Sequence, residues 1–217
     1  MKTGIIVIDP GHGGMGNVGG SDGNHAVSAL GDLEKNLTLE IGLLLNTELK
    51  SKSHQVYLTR DTDRNLSLKD RANLALTMKA DVFLSLHFNG WTDTTTQGTE
   101  TFIYPGADSN SSLLASSVQQ RLVQTTKYKN RGVKELQLGV LNPAYHFPKT
   151  ARALAEISFI TETKDAQRLR DADYKKSLAK SLAVAIDDFI NKQSSIKKIK
   201  ALPVNSSSIL KMEDSDI

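Results

Sequence analysis

The 217-residue chain contains no cysteine, one tryptophan and five prolines. Without cysteine it can form neither a disulfide framework nor a thiolate metal site, so any metal must be held by His, Asp or Glu. No apolar run approaches the roughly 20 residues that cross a bilayer, and we expect no membrane span. The N-terminal apolar run, Gly4–Ile8, is too short for a signal peptide, so the sequence predicts no export signal of its own.

The remaining composition is typical of one compact domain, with 39% hydrophobic and 24% charged residues. The formal net charge of +3 is small, and the lysines are concentrated near the C-terminus. So small an excess of positive charge gives little reason to expect a nucleic-acid partner. We also expect the chain to be a monomer.

Short β-branched runs alternate along the chain with longer stretches of helical period. This alternation predicts an α/β fold: a single domain with a central, mostly parallel twisted sheet and helices on both faces. The predicted strands are Ile5–Asp9, Gln55–Thr59, Val82–Phe88, Thr99–Tyr104 and Arg152–Ile157. The predicted helices cover residues 33–50, 110–127, 163–170 and 174–192, with a further helix opened by the capping signal at Ser67 and Asp70.

Two stretches lack such periodicity. Residues 128–150 contain two glycines and two prolines, and we expect a loop there. The apolar period of the last helix stops near residue 192. The sequence therefore predicts a domain over residues 1–192 and a linker-like or disordered tail over residues 193–217.

The first loop, Gly11–Gly16, satisfies the G-x-G-x-x-G pattern of dinucleotide-binding proteins. That pattern requires a helix to begin at once, so that its N-terminus meets the pyrophosphate. Here the glycine-rich segment Asn17–Asn24 follows instead. The acidic residue Glu34 also begins a helix, whereas the pattern places it at the end of a second strand. We therefore reject nucleotide binding.

Ionisable side chains stand at the C-terminal ends of three predicted strands. His12 follows the first strand, His87 ends another, and Glu156 lies at the end of a third. Ligands of open α/β sheets bind at this edge. Glu34, in the first turn of the next helix, can be brought back over the same crevice by the 22-residue connection.

Each of these residues has a structural explanation when taken alone. His12 fits a turn, His87 a buried core histidine, Glu34 a favourable helix N-terminus, and Glu156 a salt-bridge partner. Together they indicate a site, since a charged Glu in a central strand is costly unless it is paired or functional. Two imidazoles and one carboxylate with an open fourth position are typical of catalytic zinc. Glu156 is then left over for proton transfer during amide hydrolysis.

At these residues the chain resembles the zinc-dependent N-acetylmuramoyl-L-alanine amidases of type 3. The resemblance covers about residues 4–190 and depends on six motifs in order. They are Ile8-Asp9-Pro10-Gly11-His12-Gly13-Gly14, Leu33-Glu34-Lys35-Asn36, Leu58-Thr59-Arg60 with Asp63, Ser67-Leu68 with Arg71-Ala72-Asn73, Ser85-Leu86-His87-Phe88-Asn89, and Ala155-Glu156-Ile157-Ser158-Phe159-Ile160.

The resemblance implies that His12, Glu34 and His87 bind one zinc ion and that Glu156 is the catalytic carboxylate. The implied substrate is peptidoglycan, cut at the amide between N-acetylmuramic acid and the L-alanine of the stem peptide. It also implies action at the cell wall, in the periplasm or outside the cell. Some family members carry an extra helix that covers the zinc until a partner removes it. Since Asn89–Gln97 is short and lacks helical period, we expect an open site here.

The chain departs from the family pattern at Ser158, where glycine is usual, and at Glu162, where asparagine is more typical. Neither change removes a proposed ligand or the proposed base. We therefore expect the two changes to affect the substrate pocket and not the chemistry. Arg60 and Arg71 lie in the matching motifs. We expect them to form structural ion pairs in preference to clamping substrate.

Four other residues are candidates for contact with a substrate. We expect His54 at the surface, since it precedes a strand on the helix side. His25 and His146 lie in loops near the predicted cleft, where a plain loop position is favoured over substrate contact. Trp91 fits stacking on sugar or peptide as well as it fits anchoring its loop.

Two other functions fit the same residues. A zinc peptidase that cuts within the stem peptide shares the metal chemistry and differs in its pocket. A wall-binding or activating module that has lost catalysis belongs to a different class. The presence of all four functional positions argues against this second alternative.

Overall fold

A computed structural model describes residues 3–200, with side chains described as far as Gln193. Six strands form its sheet: β1 (Ile5–Pro10), β2 (Gln55–Leu58), β3 (Val82–Asn89), β4 (Thr99–Ile103), β5 (Asn130–Glu135) and β6 (Ala151–Phe159). The α-helices are α1 (Glu34–Ser51), α2 (Leu68–Met78), α3 (Ser109–Thr126), α4 (Thr163–Arg168) and α5 (Ala172–Lys200). No helix in this part of the chain is long and apolar enough to cross a membrane.

The strands lie in the order β2-β1-β3-β6-β4-β5. The first four of these pair in parallel, β4 runs antiparallel to β6, and β5 is parallel to β4. The C-terminal ends of β1, β3 and β6 and the N-terminal end of β4 therefore meet at one edge of the sheet. The predicted single-domain α/β fold with a mostly parallel sheet is confirmed.

Alternating side chains of β1 show how the sheet acquires a core on each face. Ile6 and Ile8 are fully buried in a large cluster with residues of α1, α3 and α5, whereas Val7 lies in a smaller cluster on the opposite face with Ala75 of α2. Since successive side chains of a strand point to opposite faces, one apolar run supplies both cores. Helices accordingly cover both faces, as predicted.

The predicted helix start at Ser67 is confirmed. The Ser67 hydroxyl accepts a hydrogen bond from the backbone N–H of Asp70 at 3.0 Å and donates one to the Asp70 carboxylate at 2.6 Å. These bonds satisfy an N–H that the first turn of α2 leaves without a partner. The helix begins at Leu68, directly after this cap.

The structure differs from the sequence prediction in two segments. Residues 128–150 were expected to form a loop, but they contain β5 and two short 3₁₀ turns, Gly139–Leu141 and Pro143–Tyr145. The strand is polar and largely exposed because it lies at the sheet edge, and Gly132 interrupts its pattern. Helix α5 continues past the predicted end near residue 192 as far as Lys200, the last described residue, since lysine and glutamine are good helix formers without an apolar face. The rest of the predicted tail, residues 201–217, lies outside the described residues.

Candidate active site

Three side chains from separate elements converge at the C-terminal edge of the sheet. His12 follows β1, Glu34 is the first residue of α1, and His87 lies in β3. Glu34 Oε1 lies 3.0 Å from His12 Nε2 and 3.2 Å from His87 Nδ1, and the two nitrogens are 3.1 Å apart. The structure thus brings together the three residues that the sequence selected as metal ligands, in an arrangement that could hold a metal ion.

Backbone groups hold the carboxylate of Glu34 in place. Its Oε1 accepts a hydrogen bond from the N–H of Phe88 and its Oε2 one from the N–H of Ala26, both at 3.0 Å. Burial raises the pKa of Glu34, but the hydrogen bonds and charges of His12 and His87 outweigh it and hold that pKa far below its usual range. The residue therefore remains an anion fixed between two imidazoles.

The ring of His12 is held from its other side by Asp22. Its Nδ1 lies 2.6 Å from Asp22 Oδ1. Burial lowers the pKa of His12, but hydrogen bonds and charges from Glu34 and Asp22 raise it above its usual value. The backbone of His12 has a φ of 62°, in the left-handed region that few residues other than glycine adopt. The other non-glycine residues with positive φ, Ser53, Lys79 and Lys127, lie at or just after helix C-termini, whereas His12 has this conformation in the loop after β1.

Glu156 lies on the strand next to His87. The two residues are register partners in β3 and β6, and Glu156 is also paired with Glu100 of β4. Its Oε2 is buried and has no hydrogen-bond partner within residues 3–200. Burial, followed by the charges of Glu34 and Glu100, raises the pKa of Glu156 well above its usual value. Both effects favour the protonated form of Glu156 more than in an exposed glutamate.

A buried ion pair supports the loop that carries His12. Arg71 Nη1 donates to Asp9 Oδ1 at 2.9 Å, and its Nη2 donates to the carbonyl of His12 at 2.7 Å. The hydroxyls of Thr59 and Ser85 also donate to Asp9, at 2.6 and 2.7 Å. Burial raises the pKa of Asp9, but the Arg71 charge and these hydrogen bonds outweigh it and lower that pKa. The predicted structural ion pair of Arg71 is confirmed.

Arg60 is structural in a different way from the one expected. Its guanidinium is fully buried and donates to the carbonyls of Pro10, Gly11 and Lys35 at 2.7–2.9 Å. No carboxylate within residues 3–200 forms an ion pair with it. Arg60 therefore satisfies carbonyls where β1 meets the start of α1.

A cavity of about 200 Å³ opens beside His12 and His87, with Asp22 on its rim and leucines along its wall. His25 lies close to it. Its ring is stacked with that of His12 at 6.3 Å between centroids, and its side chain is 69% exposed. Trp91 is 63% exposed, and its backbone N–H donates to the Thr161 hydroxyl at 3.0 Å. The exposed indole does not anchor the loop through packing.

Two other histidines are buried and do not line the cavity. His54 was expected at the surface, and that prediction is wrong. Its Nδ1 accepts from the N–H of Gly4 at 3.1 Å, and its Nε2 lies 3.2 Å from Asp187 Oδ1. His146 is 3% exposed, with Nε2 bonded to the carbonyl of Val140 at 2.8 Å. Burial lowers its pKa to about 4. Neither ring is available to a substrate.

The two departures from the family pattern both lie near the end of β6. Glu162 is the N-cap of α4, where its carboxylate accepts from the N–H of Asp165 at 2.7 Å. Asparagine serves the same purpose in many proteins, so the change keeps the cap. Ser158 is fully buried within β6. Both positions are structural, and neither belongs to the cluster of His12, Glu34 and His87.

A sequence profile described as N-acetylmuramoyl-L-alanine amidase matches residues 6–188. The chain belongs to this amidase family. It is 35% identical over 180 residues to the N-acetylmuramoyl-L-alanine amidase LytC of Bacillus subtilis (strain 168), over 82% of this chain and 34% of LytC. It is 34% identical over 188 residues to the sporulation-specific N-acetylmuramoyl-L-alanine amidase of the same strain, over 86% of this chain and 68% of that protein.

A solved structure agrees with this assignment. The N-acetylmuramoyl-L-alanine amidase from Clostridium difficile 630 has a TM-score of 0.78 with this chain at 30% sequence identity, over 88% of this chain and 98% of that one. The chain therefore has nearly the extent of that amidase structure, but it spans only about a third of the length of LytC. The predicted resemblance to the amidase family is confirmed.

Proposed function

We propose that the chain is a zinc-dependent amidase that hydrolyses the bond between N-acetylmuramic acid and the L-alanine of the peptidoglycan stem peptide. The observation that carries the proposal is the convergence of His12, Glu34 and His87 next to Glu156, the register partner of His87 on β6. Membership of the amidase family supports the substrate. The site of action that follows is the cell wall.

The donor atoms fit zinc. With bonds of about 2.0–2.1 Å and tetrahedral angles, two zinc ligands lie about 3.3 Å apart. The three distances between His12 Nε2, Glu34 Oε1 and His87 Nδ1 are 3.0–3.2 Å. Two imidazoles and one carboxylate also leave a fourth position free, as catalytic zinc requires. Zinc held there supplies Lewis-acid activation of a water molecule and of the substrate carbonyl.

Glu156 would move the proton. As a carboxylate it accepts a proton from the attacking water, and as an acid it passes that proton to the leaving amine of L-alanine. Its buried Oε2 has no hydrogen-bond donor among the described residues, which supports a role outside the structural hydrogen-bond network. Glu156 and His87 are register partners on adjacent parallel strands, about 4.8 Å apart, and this supports a role for Glu156 toward a molecule bound beside His87.

Mass spectrometry of digested muropeptides tests the reaction. Release of intact stem peptides with a free N-terminal L-alanine is the expected result. Shortened stems would identify a peptidase acting within the peptide, and wall binding without any product would identify a non-catalytic module. Elemental analysis of the purified chain should find one zinc ion, and removal of zinc by a chelator should abolish the reaction.

A further inference from the structure

We infer that Asp22 positions His12 for metal binding, by fixing which ring nitrogen carries the hydrogen and which way the ring faces. This inference rests on the proposed function, since it concerns the same zinc site. Asp22 is 41% exposed and lies in a glycine-rich loop, so burial alone does not account for its side-chain position.

The contact determines the tautomer of His12. An ionised carboxylate can only accept hydrogen bonds, so the 2.6 Å contact with Asp22 Oδ1 requires the hydrogen on Nδ1. With Nδ1 bonded to Asp22, Nε2 is the ring nitrogen that faces the other two proposed ligands, 3.0 Å from Glu34 Oε1 and 3.1 Å from His87 Nδ1, and its lone pair would be the one offered to a metal ion. The arrangement is the carboxylate–histidine–metal geometry that raises ligand basicity.

The backbone of His12 does not by itself determine the rotation of the ring. It stands between Gly11 and Gly13 with a φ of 62°. The backbone is held at the carbonyl of His12 by Arg71, but that bond does not determine the rotation of the ring. Among the described residues, the ring of His12 contacts the other two members of the cluster, Glu34 and His87, through Nε2. Its remaining hydrogen-bond partners are both on Asp22.

Asp22 is itself anchored on both sides. The residue before it, Ser21, donates through its hydroxyl to Asn65 Oδ1 and accepts at its carbonyl from Asn65 Nδ2, both at 2.9 Å. The residue after it, Gly23, accepts from the N–H of Gly13 at 3.0 Å. Because Gly13 follows His12 directly, the loop that carries the carboxylate is tied to the loop that carries the imidazole.

His25 provides a matched control. Its Nδ1 lies 3.5 Å from the other oxygen of the same carboxylate, Asp22 Oδ2, and its ring faces solvent. If Asp22 acted only through its general surroundings, loss of its neighbour His25 should weaken zinc binding as much as loss of Asp22 itself. A residue that orients His12 must act through Oδ1, so loss of His25 should leave zinc binding nearly unchanged.

The test measures zinc affinity by competition with a chromogenic chelator, using the full chain and its Asp22→Asn, Asp22→Ala and His25→Ala variants. Loss of such a supporting carboxylate lowers metal affinity by about 10–100-fold. We expect this loss in both Asp22 variants and a change within about twofold in His25→Ala. Urea unfolding of the metal-free forms checks the fold, and Asp22→Asn, which has the same shape as aspartate, decides if Asp22→Ala does not fold.

A second readout needs no metal. In ¹⁵N-histidine-labelled, metal-free protein, the Nδ1–H signal of His12 should be visible in the unmutated chain and absent in Asp22→Ala. Folded Asp22 variants with unchanged zinc affinity and an unchanged Nδ1–H signal would overturn the inference. If the unmutated chain binds no zinc, the proposed function fails instead, and the nitrogen signal alone decides whether Asp22 sets the tautomer.

Discussion

The imidazole of His87 rests directly on Gly11. A Cβ added to Gly11 would lie 2.2 Å from His87 Cε1 and 2.3 Å from its Nε2, closer than atoms can approach. Gly11 also donates its N–H to the carbonyl of Leu86 at 3.0 Å, so the backbone cannot withdraw without breaking a contact between β1 and β3. Only glycine at this position leaves room for the His87 ring beside His12 and Glu34.

Gly11→Ala should therefore displace His87 and abolish zinc binding. Overpacking of this kind costs roughly 1–3 kcal/mol of stability, so the variant should still fold. Zinc content after dialysis and urea unfolding measure the two effects separately. Gly31→Ala is the control: it has a φ of 87° and open space around its Cβ, so it should lose about 1 kcal/mol of stability and keep its zinc. Full zinc occupancy in Gly11→Ala would contradict the packing argument.

Glu156→Gln should separate chemistry from metal binding. Glutamine is close in shape to glutamate, and Glu156 is not among the three converging donors. The fold and the zinc content should therefore be unchanged. Turnover of muropeptides should fall by about 100-fold or more, the usual contribution of a general acid or base. Near-normal turnover would assign proton transfer to another group.

The buried His146 should make stability depend on pH. Its pKa is lowered to about 4 by burial, against about 6.5 in an unfolded chain. Above pH 6.5 the ring is neutral in both the folded and the unfolded state, so it does not oppose folding. As the pH falls from 6.5 toward 4, the unfolded state takes up a proton that the folded state does not, and the free energy of unfolding decreases. At pH 4.5 the loss amounts to roughly 2 kcal/mol relative to pH 7.5.

His146→Gln removes this titration, so its stability should fall less than that of the unmutated chain over the same pH range. Urea unfolding at pH 4.5 and 7.5 gives the comparison. Asp165, whose pKa is raised to about 6, contributes with the opposite sign but is common to both proteins. Equal losses of stability in the two proteins would indicate that His146 titrates normally in the folded state.

The isolated chain should digest peptidoglycan without an activating partner. Residues 90–98, which join β3 to β4, form turns and contain no helix to cover the cluster of His12, Glu34 and His87. Deletion of residues 201–217 should leave the specific activity on soluble muropeptides unchanged within about twofold, since changes at termini are often tolerated. A chain that is silent until a partner is added, or that becomes much more active after the deletion, would mean that some segment covers the site.

Much of the fold could be predicted because the central strands are apolar on both faces. Val82–Leu86 of β3 and Ala153–Ile157 of β6 carry such runs, apart from Ser85 and Glu156. The edge strand β5 could not be found this way. Its pairing depends on the backbone of β4, and Asn130–Glu135 has neither an apolar run nor a clean alternation.

The ligand candidates could be found from the sequence because each stands at a strand or helix end, where local pattern is informative. Asp22 was missed, since it lies in a loop without periodicity and its role appears only when that loop folds over His12. His54 was misplaced for a similar reason. Its partners Gly4 and Asp187 are 50 and 133 residues away in sequence, and no local signal reveals them.

The reversed direction of β4 has a consequence for how this fold can be modified. Because β4 runs antiparallel to β6, which lies between it and β3, the connection over residues 90–98 starts and ends at the edge that carries Glu156. Residues added there would extend over the site without changing the register of any strand. The same segment is thus a suitable position for inserting an engineered domain. A light- or ligand-controlled domain inserted there could regulate substrate access to the amidase site proposed for this chain.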